Sequence, residues 1–339
     1  MSLDPLLAST DAVALAFLQE LEPIEGRDMP LFPPTYPAPE RGTHRHDTPY
    51  TINVLKDGRR VVTLDSVQSQ ANRMEAAFHG ELAHAVPQIT LTAGTRTLAL
   101  TELAHRVADA AIRASVLGPK IHTAFEAYDR GDPLPIAKLG PTSLVFGAWD
   151  SRDTRVKIPR LIRSEIHAWD VDVFTRSAQF SGAFSREELG FSDKEWKQGA
   201  DIGFAPTPSV DQHGGVVVHG PIRQAATIHL GALRQLEKAT PGLGHYLLGL
   251  AAGALWTGGR DYTLRTGCWL LPSEPPVIEV VTRTGAREPL ELDHDLVLRF
   301  LEAQVALAKD RLGIPAGETE AVNYDPAEGK KMLKTKDKA

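Results

Sequence analysis

The chain has 339 residues, which suits one large elaborated domain or about two smaller ones; 42% hydrophobic and 24% charged residues leave ample material for a packed core. One cysteine, Cys268, excludes a disulfide scaffold and a cysteine-built zinc ribbon. The net charge of −6 argues against a generally basic protein, yet residues 1–40 hold seven acids and one base while 151–163 hold five bases against Asp153 alone.

No apolar run reaches about 18 residues, so no membrane span is expected. Asp4 and Asp11 stand where a signal peptide would carry bases, so a cytoplasmic setting is expected.

In chain order, Asp11 as N-cap with Val13, Phe17 and Leu21 four apart predicts a short helix over 11–21. Seven prolines between Pro23 and Pro49 then predict a long loop. Asp57-Gly58 between two β-prone runs predicts a hairpin over 50–64. Asp65, with Gln68 three residues on, predicts a capped helix whose stripe Val67, Ala71, Met74, Phe78 and Leu82 faces inward. A strand follows near 88–92 and a second helix over 101–115. Residues 143–149 read as a buried strand that takes Trp149 into the core, and 162–174 contains another strand. Glycines and prolines make 181–220 an excursion from the core. Helices are predicted at 224–238, 243–256 and 294–312, the last between Asp293 and Gly313, with strands near 262–270 and 277–283.

These elements suit an α+β fold with an antiparallel sheet and one large insertion. The expected organisation is an acidic, proline-rich segment over 1–49, a core over 50–312 with an insertion at about 150–220, and a flexible lysine-rich tail over 313–339.

Catalytic motifs are missing. There is no P-loop, no complete dinucleotide fingerprint and no nucleophile elbow. His79, Glu81 and His84 lack the spacing of a one-turn zinc motif. Neither a cofactor nor a metal is expected.

Two polar features remain. Ser66, Gln68, Ser69, Asn72 and Arg73 crowd one helix with the amides, hydroxyls and guanidinium that contact phosphate and sugar; capping and solvation explain them equally well. Arg152, Arg155, Lys157, Arg160 and Arg163 form a basic strip flanked by Trp149 and Trp169; its plain reading is a solvated basic face. His105 and Arg106 lie on a further polar face, where Glu102–Arg106 is also an ordinary helical pair.

D-S-V-Q-S-Q-A-N-R-M-E at 65–75 is similar to the hallmark of the backbone subunit of type I-G (formerly I-U) CRISPR effector complexes, a RAMP-superfamily protein. H-R-V-A-D-A at 105–110, F-G-A-W-D-S-R at 146–152, R-L-I-R-S-E-I-H-A at 160–168 and R-Q-A-A-T-I-H-L-G-A-L-R-Q-L at 223–236 resemble its further blocks, in the same order. The resemblance implies a modified RRM-like, ferredoxin-like core with finger and thumb elaborations. It implies copies that polymerise along the spacer of a CRISPR RNA, grip its backbone and present its bases to target DNA. Further Cascade subunits, among them a cap or guide-processing subunit and a large subunit, and a separate helicase-nuclease are the implied partners. The chain itself is then not an enzyme. The competing reading is a RAMP-family endonuclease that processes CRISPR RNA, with His105 or His122 working beside Arg106.

Overall fold

The computed structural model describes residues 3–37, 48–151 and 153–336. α1 (Asp4–Ala8) leads into β1 (Ala12–Pro23), and the hairpin β2 (Ile52–Val54) and β3 (Arg60–Asp65) precedes α2 (Val67–Ala76), β4 (Gln88–Ala93) and β5 (Arg96–Ala99). Next come α3 (Ala110–Arg113), α4 (Gly118–Asp129), α5 (Leu134–Leu139), α6 (Thr142–Phe146), β6 (Ala148–Trp149) and β7 (Lys157–Ile158). β8 (Ile162–Trp169), β9 (Val171–Phe180), α7 (Asp193–Gly199), β10 (Thr207–Val218) and β11 (Ile222–Ile228) follow. The chain continues through α8 (Leu230–Ala239), α9 (Leu243–Thr257), β12 (Thr263–Arg265), β13 (Cys268–Pro272), β14 (Val277–Thr282) and β15 (Arg287–Pro289). α10 (His294–Leu307), β16 (Thr319–Asn323) and α11 (Pro326–Lys336) complete it.

The main sheet is antiparallel, in the order β12-β13-β1-β11-β8-β3-β2, with β14 also on β1 and β15 on β14. Within it, β1, a long connection that holds α2–α6 together with β2–β7, β8, β11, the α8–α9 pair and β14 follow the order of a β-α-β-β-α-β unit, with spatial order β14-β1-β11-β8. This is an α+β fold compatible with a ferredoxin-like core, as the sequence implied.

The first strand of that unit is where the sequence reading fails. Residues 11–21 were expected to be helical; they form β1. Val13, Phe17 and Leu21 lie four apart, a spacing that places them on one face of a strand as well as a helix. Leu15, Phe17, Gln19 and Leu21 are all buried, which is period two. Pairing settles the choice: Leu15 to Leu21 face Ile228 to Ile222 on one edge, while β14 and β13 share the other. The helix expected from 224 likewise begins only at Leu230, where the His229 side chain accepts from the Ala232 amide. Ile222, Gln224, Ala226 and Ile228 before it alternate inward as β11.

Three further expectations are corrected. Residues 101–115 form 3-10 turns and the short α3, because Arg106 adopts φ 54° and Asp109 caps a new helix at Ala111. Residues 143–149 form α6, a left-handed turn at Gly147 (φ 83°) and the two-residue β6, which leaves Trp149 55% exposed. The segment read as a tail contains β16, which pairs in parallel with β4 and buries Val322, and then α11.

The excursion expected over 181–220 falls in an arm that starts earlier. β9 and β10 extend the β8–β11 hairpin past Asp170 (φ 57°), and α7 sits at its far end under a Ser192–Glu195 capping box. Phe191 packs edge-on against Phe204 there, at 5.4 Å.

The apolar core forms two clusters on the inner face of the sheet. Phe17, Ile162 and Ala226 join the first with the nearly wholly buried α9; Leu21, Ile166 and Ile222 join the second. Between them runs a row of fully buried polar side chains, Gln19, Gln224, Ser164 and Gln70. Gln224 Nε2 donates to Gln70 Oε1 at 2.9 Å and to Gly259 O at 2.7 Å, and Tyr262 OH donates to Gln224 Oε1 at 2.7 Å. The bonds among Gln70, Ser164 and Gln224 fix the register of α2 over β8 and β11.

Candidate nucleic-acid interface

α2 begins one residue later than its sequence suggests. Ser66 is the N-cap, and its hydroxyl accepts from the Ser69 amide at 3.3 Å, which gives the Ser66 side chain a local role. Asp65 is instead a buried carboxylate at the end of β3. It accepts from Gln70 Nε2 at 2.7 Å, Arg73 Nε at 3.0 Å and Arg265 NH2 at 3.3 Å. Arg73 also donates to Leu264 O at 2.5 Å. Its guanidinium is spent holding α2 to β3 and β12, so the structure does not offer Arg73 as an RNA contact.

Arg106 is likewise withdrawn. It is buried, donates through Nε to Glu75 Oε2 at 2.7 Å and through NH1 to Gly147 O at 3.1 Å, and stacks over Phe146. Burial pushes the Glu75 carboxyl up to about 7 against the opposing pull of Arg106. His105 beside it is exposed. The neighbouring pair read as acid–base candidates is therefore split between solvent and core.

Other candidates do converge. Gln68 and Asn72 lie on the exposed edge of α2, with Gln68 Nε2 donating to Asn72 Oδ1 at 3.0 Å. Arg160 NH2 donates to Gln68 Oε1 at 2.5 Å, bridging 92 positions of sequence. The Arg160 stem crosses Gly147, where an added Cβ would come within 2.9 Å of Arg160 Cγ. Partial burial, and then the nearby Arg106 charge, lower the Arg160 pKa. Two residues beyond Gly147, Trp149 pairs with Lys157, whose Nζ sits 4.6 Å from the indole centroid. Arg155 is exposed at φ 62° in the connecting loop. Amides, guanidinium, ammonium and an open ring thus share one surface, the donor set that contacts phosphate and sugar.

Arg163 belongs elsewhere. It lies on the outer face of β8, 65% exposed at its side chain and paired with Glu165. Arg152 lies outside the described residues.

The sequence reading missed the groups that hold this surface. Asp150 is buried and accepts from Arg113 NH1, from the Thr154 amide at 3.0 Å and from Thr154 Oγ1 at 2.8 Å. Asp153 accepts from Arg113 NH2 and is bonded by His122 Nδ1 at 2.6 Å. The hydrogen bond to Asp153 raises the His122 pKa. The D-S-R-D-T run after Trp149 was the available signal, since Asp followed by Thr closes a turn.

A cleft of about 590 Å³ lies away from these groups, lined by Glu20, Glu22, Asp28, Glu274, Arg27 and Arg223 among others. Its carboxylates disfavour phosphate. Among the described residues no group of three or more His, Cys, Asp or Glu is placed to hold a metal, and no helix is long and apolar enough to cross a membrane. His79 bonds Thr101 and His84 bonds Glu302, in separate places.

Residues 15–173 match the family described as CRISPR-associated protein GSU0053. The match takes in most of β1, α2 and the Trp149–Arg160 surface, and it starts within the acidic, proline-rich N-terminal segment. The block at 223–236 lies beyond it. No curated protein matches the chain.

Proposed function

From the role in a CRISPR system that the match over residues 15–173 supports, we propose that the chain is a non-catalytic backbone subunit that binds CRISPR RNA in a type I Cascade complex. Copies line up along the spacer of the guide and leave its bases free to pair with target DNA. The observation that carries this reading is Arg160, bonded to Gln68 beside Asn72 and crossing the Gly147 turn, with Lys157 over Trp149 two residues beyond that turn. Its donors suit phosphate and sugar and carry no base code, as binding to any spacer requires. Its partners are further copies, the other Cascade subunits and the helicase-nuclease.

Such copies meet head to tail, and an unclosed contact of this kind grows to the length of its template. Light scattering with RNAs of increasing length tests the reading. Particle mass rises by one protomer per added footprint and stays low without RNA. A closed dimer or ring of fixed mass overturns it. Discrete cleavage of precursor CRISPR RNA by the pure protein would restore the endonuclease.

A further inference from the structure

Trp149 is in an unusual position for a large aromatic. It is 55% exposed, more than Trp269 at 42%, while Trp256 is buried. Yet the segment that carries it is fixed on both sides by buried charge. Before it, Arg106, paired with Glu75, donates to Gly147 O. After it, Asp150 is tied to Arg113 and Thr154. On the partner strand Ile158, opposite Ala148, is buried, so the β6–β7 hairpin turns one side into the core and presents Trp149 and its partner Lys157 on the other. Two buried ion pairs that fix the backbone on either side of an exposed indole preorganise its position for a ligand.

The surroundings give the ligand's chemistry. Lys157 lies over the ring, and Arg155 and Arg160 are exposed on either side of it in sequence. The one carboxylate of the loop that approaches solvent, Asp153, is already bonded to Arg113 and His122. An apolar ring rimmed by cations fits a polyanion that carries π faces.

We propose that Trp149 is a stacking platform for an unpaired nucleobase of the bound RNA, with Lys157, Arg155 and Arg160 on the adjoining phosphates. This rests on the RNA-binding reading above and adds a base contact that is blind to sequence, since every base has a face to stack.

The test measures affinity, by fluorescence anisotropy at fixed salt, for two 2′-O-methyl oligonucleotides of equal length, one with bases and one abasic. Trp149→Leu should weaken binding of the base-bearing strand about 10-fold and of the abasic strand less than about 2-fold. Trp149→Phe should restore most of the loss, and the salt dependence should be unchanged in both variants. Equal losses on both strands would assign Trp149 to the fold or to a protein contact and overturn the platform. No loss on either would also overturn it, while leaving RNA binding intact. If the wild-type protein binds neither strand, the RNA-binding reading falls as well.

Discussion

Arginines that look alike in the sequence do different work, and burial sorts them. Arg106 and Glu75 are 4% and 3% exposed at their side chains. Arg106→Met leaves the Glu75 carboxyl buried without its partner and should destabilise the protein by about 3–5 kcal/mol. Replacing both members by apolar residues should recover much of that loss. Arg160 is exposed, and among the described residues its head group bonds Gln68; Arg160→Ala should change stability by less than about 0.5 kcal/mol while weakening RNA binding. Urea unfolding of the three variants checks the ranking. His122 gives a pH signature. Its folded-state pKa is raised by the bond to Asp153, so its stabilising contribution is full below about pH 6.5 and fades as pH rises through the higher folded value. With a side chain 43% exposed, screening holds the effect to about 0.5 kcal/mol. His122→Gln should remove that decline between pH 6 and 9, and a profile identical to the wild type would refute the assignment.

At the level of elements, the C-terminal segment with β16 is structural and the β9–β10 arm is an appendage. β16 pairs with β4 over Thr319–Asn323 and places Val322 in the main core cluster. Truncation after Glu318 should therefore cost about 2 kcal/mol or more, from burial of Val322 and the lost ladder; a flexible tail would cost nothing. The arm behaves in the opposite way. Val171 and Val216 at its base belong to the second core cluster, whereas the residues between Arg176 and Gln212 belong to neither. Replacing 177–211 by Asn-Gly, the preferred two-residue hairpin turn, should leave the urea midpoint within about 10% of the wild type. A collapse in stability on that deletion would show that the arm is part of the core.

For the whole molecule, an acidic total and the proposed RNA-binding surface are compatible because the charges are segregated. Glu20 and Glu22 neutralise Arg223 and Arg27 at the far end of β1, while the surface around Trp149 holds Arg155, Lys157 and Arg160. Charges separated by more than about 10 Å are screened from each other at ordinary salt. If three or four phosphates are neutralised per copy, log affinity for single-stranded RNA should fall against log salt with a slope of about −2 to −3. The slope should be the same for unrelated spacer sequences. A salt-insensitive affinity, or strong preference for one sequence, would contradict backbone contact.

The sequence by itself determined the composition of the sheet-and-helix fold, the hairpin at Asp57-Gly58, the α2 stripe, α9, α10 and the place of the excursion. These are local: Asp293 accepts from the Leu296 amide at 2.7 Å and Gly313 ends the following turn at φ 60°, so caps within a few residues fix α10 whatever surrounds it. The blocks also carried the family resemblance. What tertiary structure alone decided is non-local. β1 became a strand because β11, β13 and β14 complete its hydrogen bonds, and a four-residue spacing does not distinguish the two periods. Arg73 and Arg106 were drawn inward because Asp65 and Glu75 lie buried beside them. Trp149 was turned outward because α6 ends at Gly147, with φ 83°, just before it and Ile158 takes the inward side of the hairpin. Gln68 met Arg160 because the fold brings α2 against the end of the β7–β8 connection. Burial and pairing are properties of segments far apart in sequence, so the periodicity of one segment specifies which face it has and leaves open what that face will meet.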